Sequence, residues 1–328
     1  MTAPKAPGKS YREGITLMEL ADMFPDEESA LKWFEERFWP NGRVCGHCGG
    51  TNTIEATHGQ MPYWCPDCRS YFSIKTGTLL EYTQLPLRKW VYAIYLHLTS
   101  LKGISSMKLH RDIGVSQKTA WYMLQRIRKA FDDSDDGDGP FDGPVEVDET
   151  YVGGKAKNMH AHKRAQLTGR GGVDKTPVVG IKDRDTNQVR AQVVSATDKP
   201  TLQGFIWNHA KPGAMVYTDE ARAYQGLSPL FYQHESVQHS VSEYVRGMAH
   251  TNGLESFWSM LKRGYIGIYH KISPKHLARY VAEFSGRHNI RESGTLSQMG
   301  WLVKGMVGKQ MRYHTLIADN GLPSGARS

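Results

Sequence analysis

The sequence lacks any apolar run close to the ~18 residues that a membrane-spanning helix needs. Its first residues, MTAPKAPGKSYREG, lack the apolar stretch of a signal peptide, so we expect a protein that is not exported and that occupies a reducing compartment. Cysteine is scarce, with four in 328 residues, and in such a compartment disulfides are not expected to account for them. The four cysteines therefore need another explanation.

Composition favours a globular protein with a polyanionic partner. Hydrophobic residues make up 39% of the chain and aromatic residues 10%, which is typical of folded rather than disordered proteins. At roughly 150 residues per domain, the length predicts two or three folded units. Lys and Arg number 41 against 33 Asp and Glu, a net charge of +8, so nucleic acid is the leading partner hypothesis. The excess is modest, and many basic proteins bind no polyanion.

The first part of the chain reads as a tail followed by helices. Residues through about Gly14 are rich in Pro, Lys and Gly and indicate a loose tail. After Asp26, the positions of Leu31, Phe34 and Phe38 predict a helix with acidic residues in its first turn. The segment LPLRKWVYAIYLHLTSL predicts a second helix beyond the cysteines.

A segment rich in Asp, Gly and Pro, DDSDDGDGPFDGP, then predicts a linker. Beyond it the pattern changes from helices to strands. The runs PVEVDETYV, TPVVGIKD and VRAQVVSA are β-rich, a helical pattern leads to the short strand AMVYT, and helices return from about Thr251 to Leu261 and from Pro274 to His288. This order predicts an α/β domain, a mixed sheet with helices on its faces.

Four cysteines form two CxxC pairs, Cys45 with Cys48 and Cys65 with Cys68, separated by 16 residues. Each pair can bend into a knuckle that aims two thiolates at one point, and two knuckles complete a tetrahedral S₄ site that suits Zn²⁺. The alternatives are two disulfides or coincidence, which the compartment and the duplicated spacing disfavour. We predict one structural zinc ion in a zinc ribbon.

The segment ISSMKLHRDIGVSQKTAWYMLQRIRKAF predicts two short helices around a turn that contains Gly114, with Ser116 capping the second helix. This is the layout of a helix-turn-helix that reads the major groove. The alternative is an ordinary helical hairpin with a basic outer face. The candidates for base contacts are Gln117, Lys118 and Tyr122, and those for phosphate contacts are Arg126, Arg128 and Lys129.

Three carboxylates in the second half predict a metal site. Asp148 lies within an apolar run, where a carboxylate is costly unless a metal or a partner compensates it. Asp219 follows the strand AMVYT, and Glu255 lies on the predicted helix, with 35 residues between the two acids. Such acids can converge on two Mg²⁺ or Mn²⁺ ions about 4 Å apart that promote attack on a phosphodiester.

The helix that carries Glu255 offers further polar groups. Lys262 lies two turns after Glu255 on the same face and could hold a phosphate. Asn252 shares that face and could serve as a ligand or an orienting group. Trp258 shares it too, although a Trp here is more often part of a core. The neighbouring acids Glu146, Glu149 and Glu220 are expected to be solvated or salt-bridged.

A glycine-rich basic segment, Gly153 to Lys175, separates the first two strands of this half. As a loop beside the carboxylates it could clamp DNA phosphates. The alternative is a solvated basic loop. Its candidate DNA-binding residues are Lys155, Lys157, Lys163, Arg164 and Arg170, to which we add Lys262 and Arg263 on the later helix.

Together, VEVDETYVGGK, VYTDEARAY and HTNGLESFWSMLKRGYIGIYHKIS resemble the catalytic blocks of bacterial insertion-sequence DDE transposases of the zinc-ribbon, ISXO2-like type. The resemblance implies an RNase H-like catalytic core in which Asp148, Asp219 and Glu255 bind two catalytic metal ions and Lys262 contacts phosphate. Some members are described with Asn as the third residue, and we favour Glu255 over Asn252. It further implies a homodimer or higher oligomer on DNA in the bacterial cytoplasm.

The resemblance implies two successive phosphoryl transfers, cutting at transposon ends and joining the 3′ hydroxyl to target DNA. The alternatives are an RNase H-like nuclease or resolvase that does not join, and a transposase-derived DNA-binding regulator with inert acids. The expected segments are a flexible tail at 1–14, a zinc ribbon with helices at 15–84, a helix-turn-helix at 85–131, an acidic linker at 132–143, the catalytic core at 144–292 and a C-terminal extension at 293–328.

Overall fold

The computed structural model describes residues 13–132, 139–154, 160–165, 175–227, 232–237 and 250–322. These residues form two compact units. The first unit comprises the described residues up to 132 together with Ile290–Ala318, and the second comprises most of the remainder. Among the helices in the described ranges, none is both long and apolar enough to cross a membrane.

The first unit combines a small sheet with short helices. In chain order these are helices α1 (Leu17–Met23) and α2 (Glu27–Phe38), strands β1 (Ile54–Glu55), β2 (Tyr63–Cys65) and β3 (Ser70–Phe72), and helices α3 (Leu87–Thr99), α4 (Ser106–Ile113) and α5 (Gln117–Ala130). The three strands form an antiparallel sheet in the order β1-β2-β3.

Local capping explains where several of these helices begin and end. The Asp26 side chain accepts a hydrogen bond from the Ser29 amide at 2.8 Å and starts α2. Gly114 ends α4 with a φ of 62°, a left-handed conformation that glycine adopts at little cost. Ser116 then caps α5 through the Thr119 amide at 3.1 Å. The predicted pair of helices around a glycine turn is confirmed.

The second unit is built on a five-stranded mixed sheet. Its elements are β4 (Val145–Val152), α6 (Ala161–Ala165), β5 (Thr176–Asp183), β6 (Val189–Val193), α7 (Lys199–His209), β7 (Met215–Asp219), a 3₁₀ turn (Arg222–Tyr224), β8 (Gln233–Val237), α8 (Asn252–Gly264), a π-helical turn (Tyr265–Tyr269) and α9 (Pro274–Asn289).

The strand order is β6-β5-β4-β7-β8, so β4 is central. Strands β4, β5 and β6 pair antiparallel, while β4, β7 and β8 pair parallel. One face of the sheet packs on α7 through a core that includes Val147, Val216 and Ile206. The other face packs on α8 and α9 through Val178, Leu254 and Phe284. The mixed sheet with helices on both faces confirms the predicted RNase H-like α/β core.

The segment that the sequence divides off as a C-terminal extension contributes two helices to the first unit. These are α10 (Thr295–Lys304) and α11 (Tyr313–Ile317). Helix α10 packs on α2, α3 and α5, and its residues Met299, Leu302 and Val303 are fully buried. The hydrophobic core of the first unit is therefore completed by residues from near the C-terminal end of the described chain.

Candidate active site and metal centres

Asp148 and Asp219 lie side by side on the two central strands. Strands β4 and β7 pair in parallel with Val145 opposite Val216 and Glu146 opposite Tyr217. Asp148 and Asp219 each lie two residues beyond the last of these pairs, so they lie on the same face of the sheet at the end of the paired stretch. The Asp219 carboxylate is close enough to raise the pKa of Asp148, so both carboxylates can approach one small ion.

The environment of Asp148 disfavours its ionised form. Burial, together with the neighbouring carboxylates of Glu149 and Asp219, raises the pKa of Asp148 to about 7. A divalent cation bound between the carboxylates would compensate this concentration of negative charge. Paired carboxylate oxygens are the hard ligands that Mg²⁺ and Mn²⁺ prefer, so the residues present fit such an ion.

A tryptophan from α8 contacts Asp148 directly. The indole Nε1 of Trp258 donates a hydrogen bond to Asp148 Oδ2 at 3.0 Å, and the Trp258 side chain is buried. Gly180 lies opposite Asp148 on β5 and makes room for the ring. A Cβ at Gly180 would stand 2.7 Å from Trp258 Cζ2. The signal for this contact in the sequence is a glycine inside the otherwise apolar strand PVVGIK.

Glu146, which lies on β4 like Asp148, holds the start of α8. Its Oε2 accepts a hydrogen bond from the Leu254 amide at 3.0 Å, and its Oε1 pairs with Arg184 Nε at 2.9 Å. Glu146 is 2% exposed, so the expectation that it is salt-bridged holds. A carboxylate at this position satisfies an amide that the first turn of a helix leaves unpaired.

The remaining candidates on α8 are exposed. Glu255 lies in the first turn, where its carboxylate accepts a hydrogen bond from Thr251 Oγ1 at 3.5 Å. Asn252 begins the helix, and Lys262 and Arg263 lie in its last turn. Glu255 lies about one helical turn before Trp258, but its side chain is exposed whereas that of Trp258 is buried.

The structure brings two of the three predicted carboxylates together, but not all three. Among the residues that the structure describes, the only group of three or more potential ligands with all donor atoms within 4.8 Å of one another is the set of four cysteines. Asp148, Asp219 and Glu255 thus do not form a closed ligand set here. The assignment of Glu255, and that of Asn252 as an auxiliary, stays a prediction.

A second, half-buried acid, Glu149, lies on the opposite face of β4. Glu149 accepts a hydrogen bond from the Tyr224 hydroxyl at 2.6 Å, and burial raises the pKa of Glu149. Burial and the Glu149 carboxylate together raise the pKa of Tyr224 well above its usual value. The tyrosine therefore stays protonated and acts as a donor. Sequence reasoning treats Glu149 as solvated or salt-bridged, and the structure instead gives it a buried tyrosine partner.

The four cysteines of the first unit converge on one point. The Sγ atoms of Cys45 and Cys68 are 3.7 Å apart, as are those of Cys48 and Cys65. Four thiolates at 2.3 Å from a tetrahedral Zn²⁺ stand about 3.8 Å from one another, so this arrangement fits zinc. Their separation also excludes the two disulfides considered as an alternative, because an S–S bond is about 2.05 Å long.

His47 lies within the first knuckle, and its Nε2 hydrogen-bonds the Tyr71 carbonyl at 3.2 Å. It is not part of the cysteine cluster. Since four sulfur ligands complete a tetrahedral shell, the zinc fits a structural and not a catalytic role.

Helix α5 presents only part of its predicted DNA-binding surface. Gln117 and Lys118 are exposed at its start. The Gln117 amide donates to Ser106 Oγ at 2.8 Å, and the Lys118 ammonium lies 4.7 Å from the centroid of the Tyr313 ring. Tyr122 is half-buried and donates its hydroxyl to the Met311 carbonyl. Tyr122 thus packs on the C-terminal segment and does not offer its hydroxyl to a base.

The prediction that Arg126 contacts phosphate is wrong for this fold. Arg126 is 3% exposed, and its Nη2 donates to the Glu81 carbonyl at 3.0 Å and to the Tyr122 hydroxyl at 2.7 Å. Arg128 is 1% exposed and is likewise unable to reach DNA. Lys129 pairs with Asp132 at the end of the helix. The buried guanidinium of Arg126 joins parts of the first unit instead.

Most of the predicted basic loop lies outside the described residues. This applies to Lys155, Lys157, Arg170 and the side chain of Lys163. Arg164 lies on α6 and is exposed. Their assignment to DNA binding stays a prediction.

Comparisons with known proteins agree with this architecture. Residues 25–71 match the transposase zinc-ribbon domain, and residues 140–289 match the ISXO2-like transposase domain. The chain is 30% identical over 278 residues to an uncharacterized protein in transposable element ISH50 of Halobacterium salinarum, covering 81% of this chain and 92% of that protein. It is also 30% identical over 119 residues to an uncharacterized transposase-like protein of Haemophilus influenzae, covering 36% of this chain and 95% of that one.

A zinc ribbon followed by an RNase H-like domain with paired carboxylates, in a chain that matches transposase domains over both parts, defines a transposase. More particularly, the chain belongs to the ISXO2-like transposase family.

Proposed function

We propose that the protein cuts DNA at the ends of its transposable element and joins the freed 3′-hydroxyl ends to target DNA. The observation that carries this proposal is the juxtaposition of Asp148 and Asp219 on the central strands β4 and β7. Two neighbouring carboxylates, one of them strongly disfavoured as an isolated anion, suit a pair of divalent cations acting on a phosphodiester.

The residues that would hold the cations are Asp148, Asp219 and Glu255. Bound there, two Mg²⁺ or Mn²⁺ ions would activate the attacking oxygen and stabilise the leaving oxygen. The protein's own contribution is positional. Strands β4 and β7 would hold two of the carboxylates, and α8, which packs on β4, would supply the third. Asn252, at the start of α8, is kept as an auxiliary ligand or orienting group.

Cationic side chains around this site would hold the DNA backbone. Lys262 and Arg263 extend from the last turn of α8 and are exposed. In our proposal Lys262 contacts a phosphate close to the reacting one. Arg164 and the other basic residues of the loop after β4 would hold flanking phosphates, as point charges that fix position without reading sequence.

The first unit would recognise the ends of the element. Gln117 and Lys118 lie at the exposed start of α5, which is the part of a recognition helix that reaches base edges. The zinc site would support this unit by holding the strands of the ribbon. We further propose that two or more copies act together on paired DNA ends in the cytoplasm, and that the functional segments up to residue 292 follow the boundaries predicted from the sequence.

A strand-transfer assay tests this function against its alternatives. The purified protein is incubated with Mg²⁺, duplexes carrying the DNA that flanks its coding region, and a target plasmid. Joined products from wild type, absent with Asp219→Ala, are expected. Cleavage without joining would favour a nuclease or resolvase. Binding without any product, equal in wild type and Asp219→Ala, would favour a DNA-binding regulator.

A further inference from the structure

Trp258 donates a hydrogen bond to Asp148, a polar contact that packing in an apolar core alone would not require. Its side chain is buried in the core between the sheet and the helices α8 and α9. Yet its one polar atom, Nε1, is aimed at Asp148 Oδ2 at 3.0 Å. A buried indole N–H needs an acceptor, and here that acceptor is a carboxylate proposed to bind metal.

The sheet is shaped to admit the ring at this position. Gly180 faces Asp148 across the β4–β5 pair. A Cβ at Gly180 would stand 2.7 Å from Cζ2 and 2.8 Å from Cη2 of Trp258, distances that real side chains do not tolerate. Glycine in the interior of a strand lowers its stability, so Gly180 in the middle of β5 indicates that the close approach of the Trp258 ring to the strand is kept despite this loss.

A second contact keeps α8 in register with β4. The Glu146 carboxylate accepts a hydrogen bond from the Leu254 amide. Glu146 lies two residues before Asp148 on β4, and Leu254 lies four residues before Trp258 on α8. The two hydrogen bonds therefore tie α8 to β4 at two separate points, one at the start of the helix and one a turn further along it.

We propose that Trp258 is a positioning residue for the metal site, with Gly180 as the residue that lets it approach. By occupying Oδ2 of Asp148, the indole N–H fixes the orientation of the carboxylate and leaves Oδ1 to coordinate a cation. This inference rests on the proposed function, because it assumes that Asp148 is a metal ligand. Partners that orient metal ligands commonly change metal affinity or activity by about 10–100-fold when they are lost.

The test compares Trp258→Phe, which keeps an aromatic ring but removes the N–H, with Trp207→Phe, which alters an exposed tryptophan on α7. Binding of Mn²⁺ to the zinc-loaded protein is followed by electron paramagnetic resonance, with and without DNA from the ends of the element. We expect the half-saturating Mn²⁺ concentration to rise about tenfold in Trp258→Phe. Thermal unfolding measured in parallel verifies that each variant is folded.

Gly180→Ala gives an independent measurement, because it keeps the indole N–H but displaces the ring. The same direction of change is expected. A half-saturating concentration within twofold of the Trp207→Phe value, in folded Trp258→Phe or Gly180→Ala, would overturn the inference and leave Trp258 as core packing. If wild type itself does not bind Mn²⁺, and Asp148→Asn does not alter its signal, the proposed metal site fails before the inference is reached.

Discussion

The carboxylate of Glu146 lies at the N-terminus of α8, where its Oε2 accepts a hydrogen bond from the backbone amide of Leu254 at 3.0 Å. The same carboxylate pairs with Arg184, which donates in turn to the His250 carbonyl at 2.6 Å. The strand that carries Asp148 thus also holds the helix that carries Glu255. Removing this carboxylate should disturb both the stability of the fold and the site.

We expect Glu146→Ala to lower the free energy of unfolding by roughly 3–5 kcal/mol, because it leaves the Nε of Arg184 and the buried Leu254 amide without the acceptor that Glu146 provides. Urea titration followed by circular dichroism measures the change. Glu235→Ala, which removes an exposed acid from β8, is the matched control and should change stability by less than about 0.5 kcal/mol. Equal stability of the two variants would show that Glu146 does not anchor α8.

Asp148→Asn should make the protein more stable at neutral pH in buffer without added divalent cations. The folded state raises the pKa of Asp148 from 3.8 to about 7, so between these values it holds a proton that the unfolded chain releases. Raising the pH through this window therefore favours unfolding of wild type. Asparagine carries no such proton, so the stability gained by the variant should grow from pH 4 to pH 7 and then level off.

Urea titrations at a series of pH values measure this gain. Asp142→Asn, at an exposed acid that pairs with Lys211, serves as a control for the loss of one carboxylate. If the stability curves of wild type and Asp148→Asn run parallel from pH 4 to pH 7, the burial argument for Asp148 is wrong.

Cys45→Ser should abolish stoichiometric zinc binding and unfold the ribbon, because three thiolates do not close the tetrahedral shell and structural zinc supplies much of the folding energy of such modules. Zinc content by atomic absorption and limited proteolysis between residues 40 and 80 measure the two effects. His47→Ala should retain one zinc ion per chain, because His47 lies outside the ligand set. Full zinc content in Cys45→Ser would contradict the assignment.

Lys118→Ala should affect DNA binding, whereas Arg126→Ala should affect the stability of the fold. Lys118 is exposed at the start of α5, so its loss should weaken DNA binding and reduce the slope of log affinity against log salt by about one, with no change in stability. Arg126 is buried on main-chain carbonyls, so its loss should cost roughly 2–4 kcal/mol of stability.

Fluorescence anisotropy with DNA from the ends of the element, at several salt concentrations, measures the first effect, and urea titration measures the second. Lys102→Ala, at an exposed lysine before α4, is the control. A normal urea midpoint in Arg126→Ala would restore Arg126 as a candidate phosphate contact.

These contrasts mark what the sequence can and cannot predict. Periodicity and capping residues predict the helices that flank Gly114 and the strands of the second unit, because these signals are local. The CxxC spacing predicts the metal cluster for the same reason. Arg126 is misassigned because the atoms that bury it come from residues as distant as Met311, which the pattern of α5 does not contain.

In the candidate site, too, some features can be predicted from the sequence and others depend on how the elements pack. Strand order and the parallel register of β4 and β7 bring Asp148 close to Asp219, whereas the sequence indicates only one acid within an apolar strand and another at the end of a different strand. The contact from Trp258 depends on the space that Gly180 leaves, a property of three elements packed together. Glu255 stays a prediction from its position on α8 and from the resemblance.

The central claim, that Asp148 and Asp219 hold the cations that drive DNA joining, is tested most directly by changing the metal preference of one ligand. Asp219→Cys replaces a hard carboxylate by a softer thiolate, which binds Mg²⁺ poorly and Mn²⁺ better. We expect Asp219→Cys to join no DNA ends in Mg²⁺ and to regain joining in Mn²⁺, while Asp219→Ala is inactive in both. Joining by Asp219→Ala at the wild-type rate in Mg²⁺ would contradict the claim.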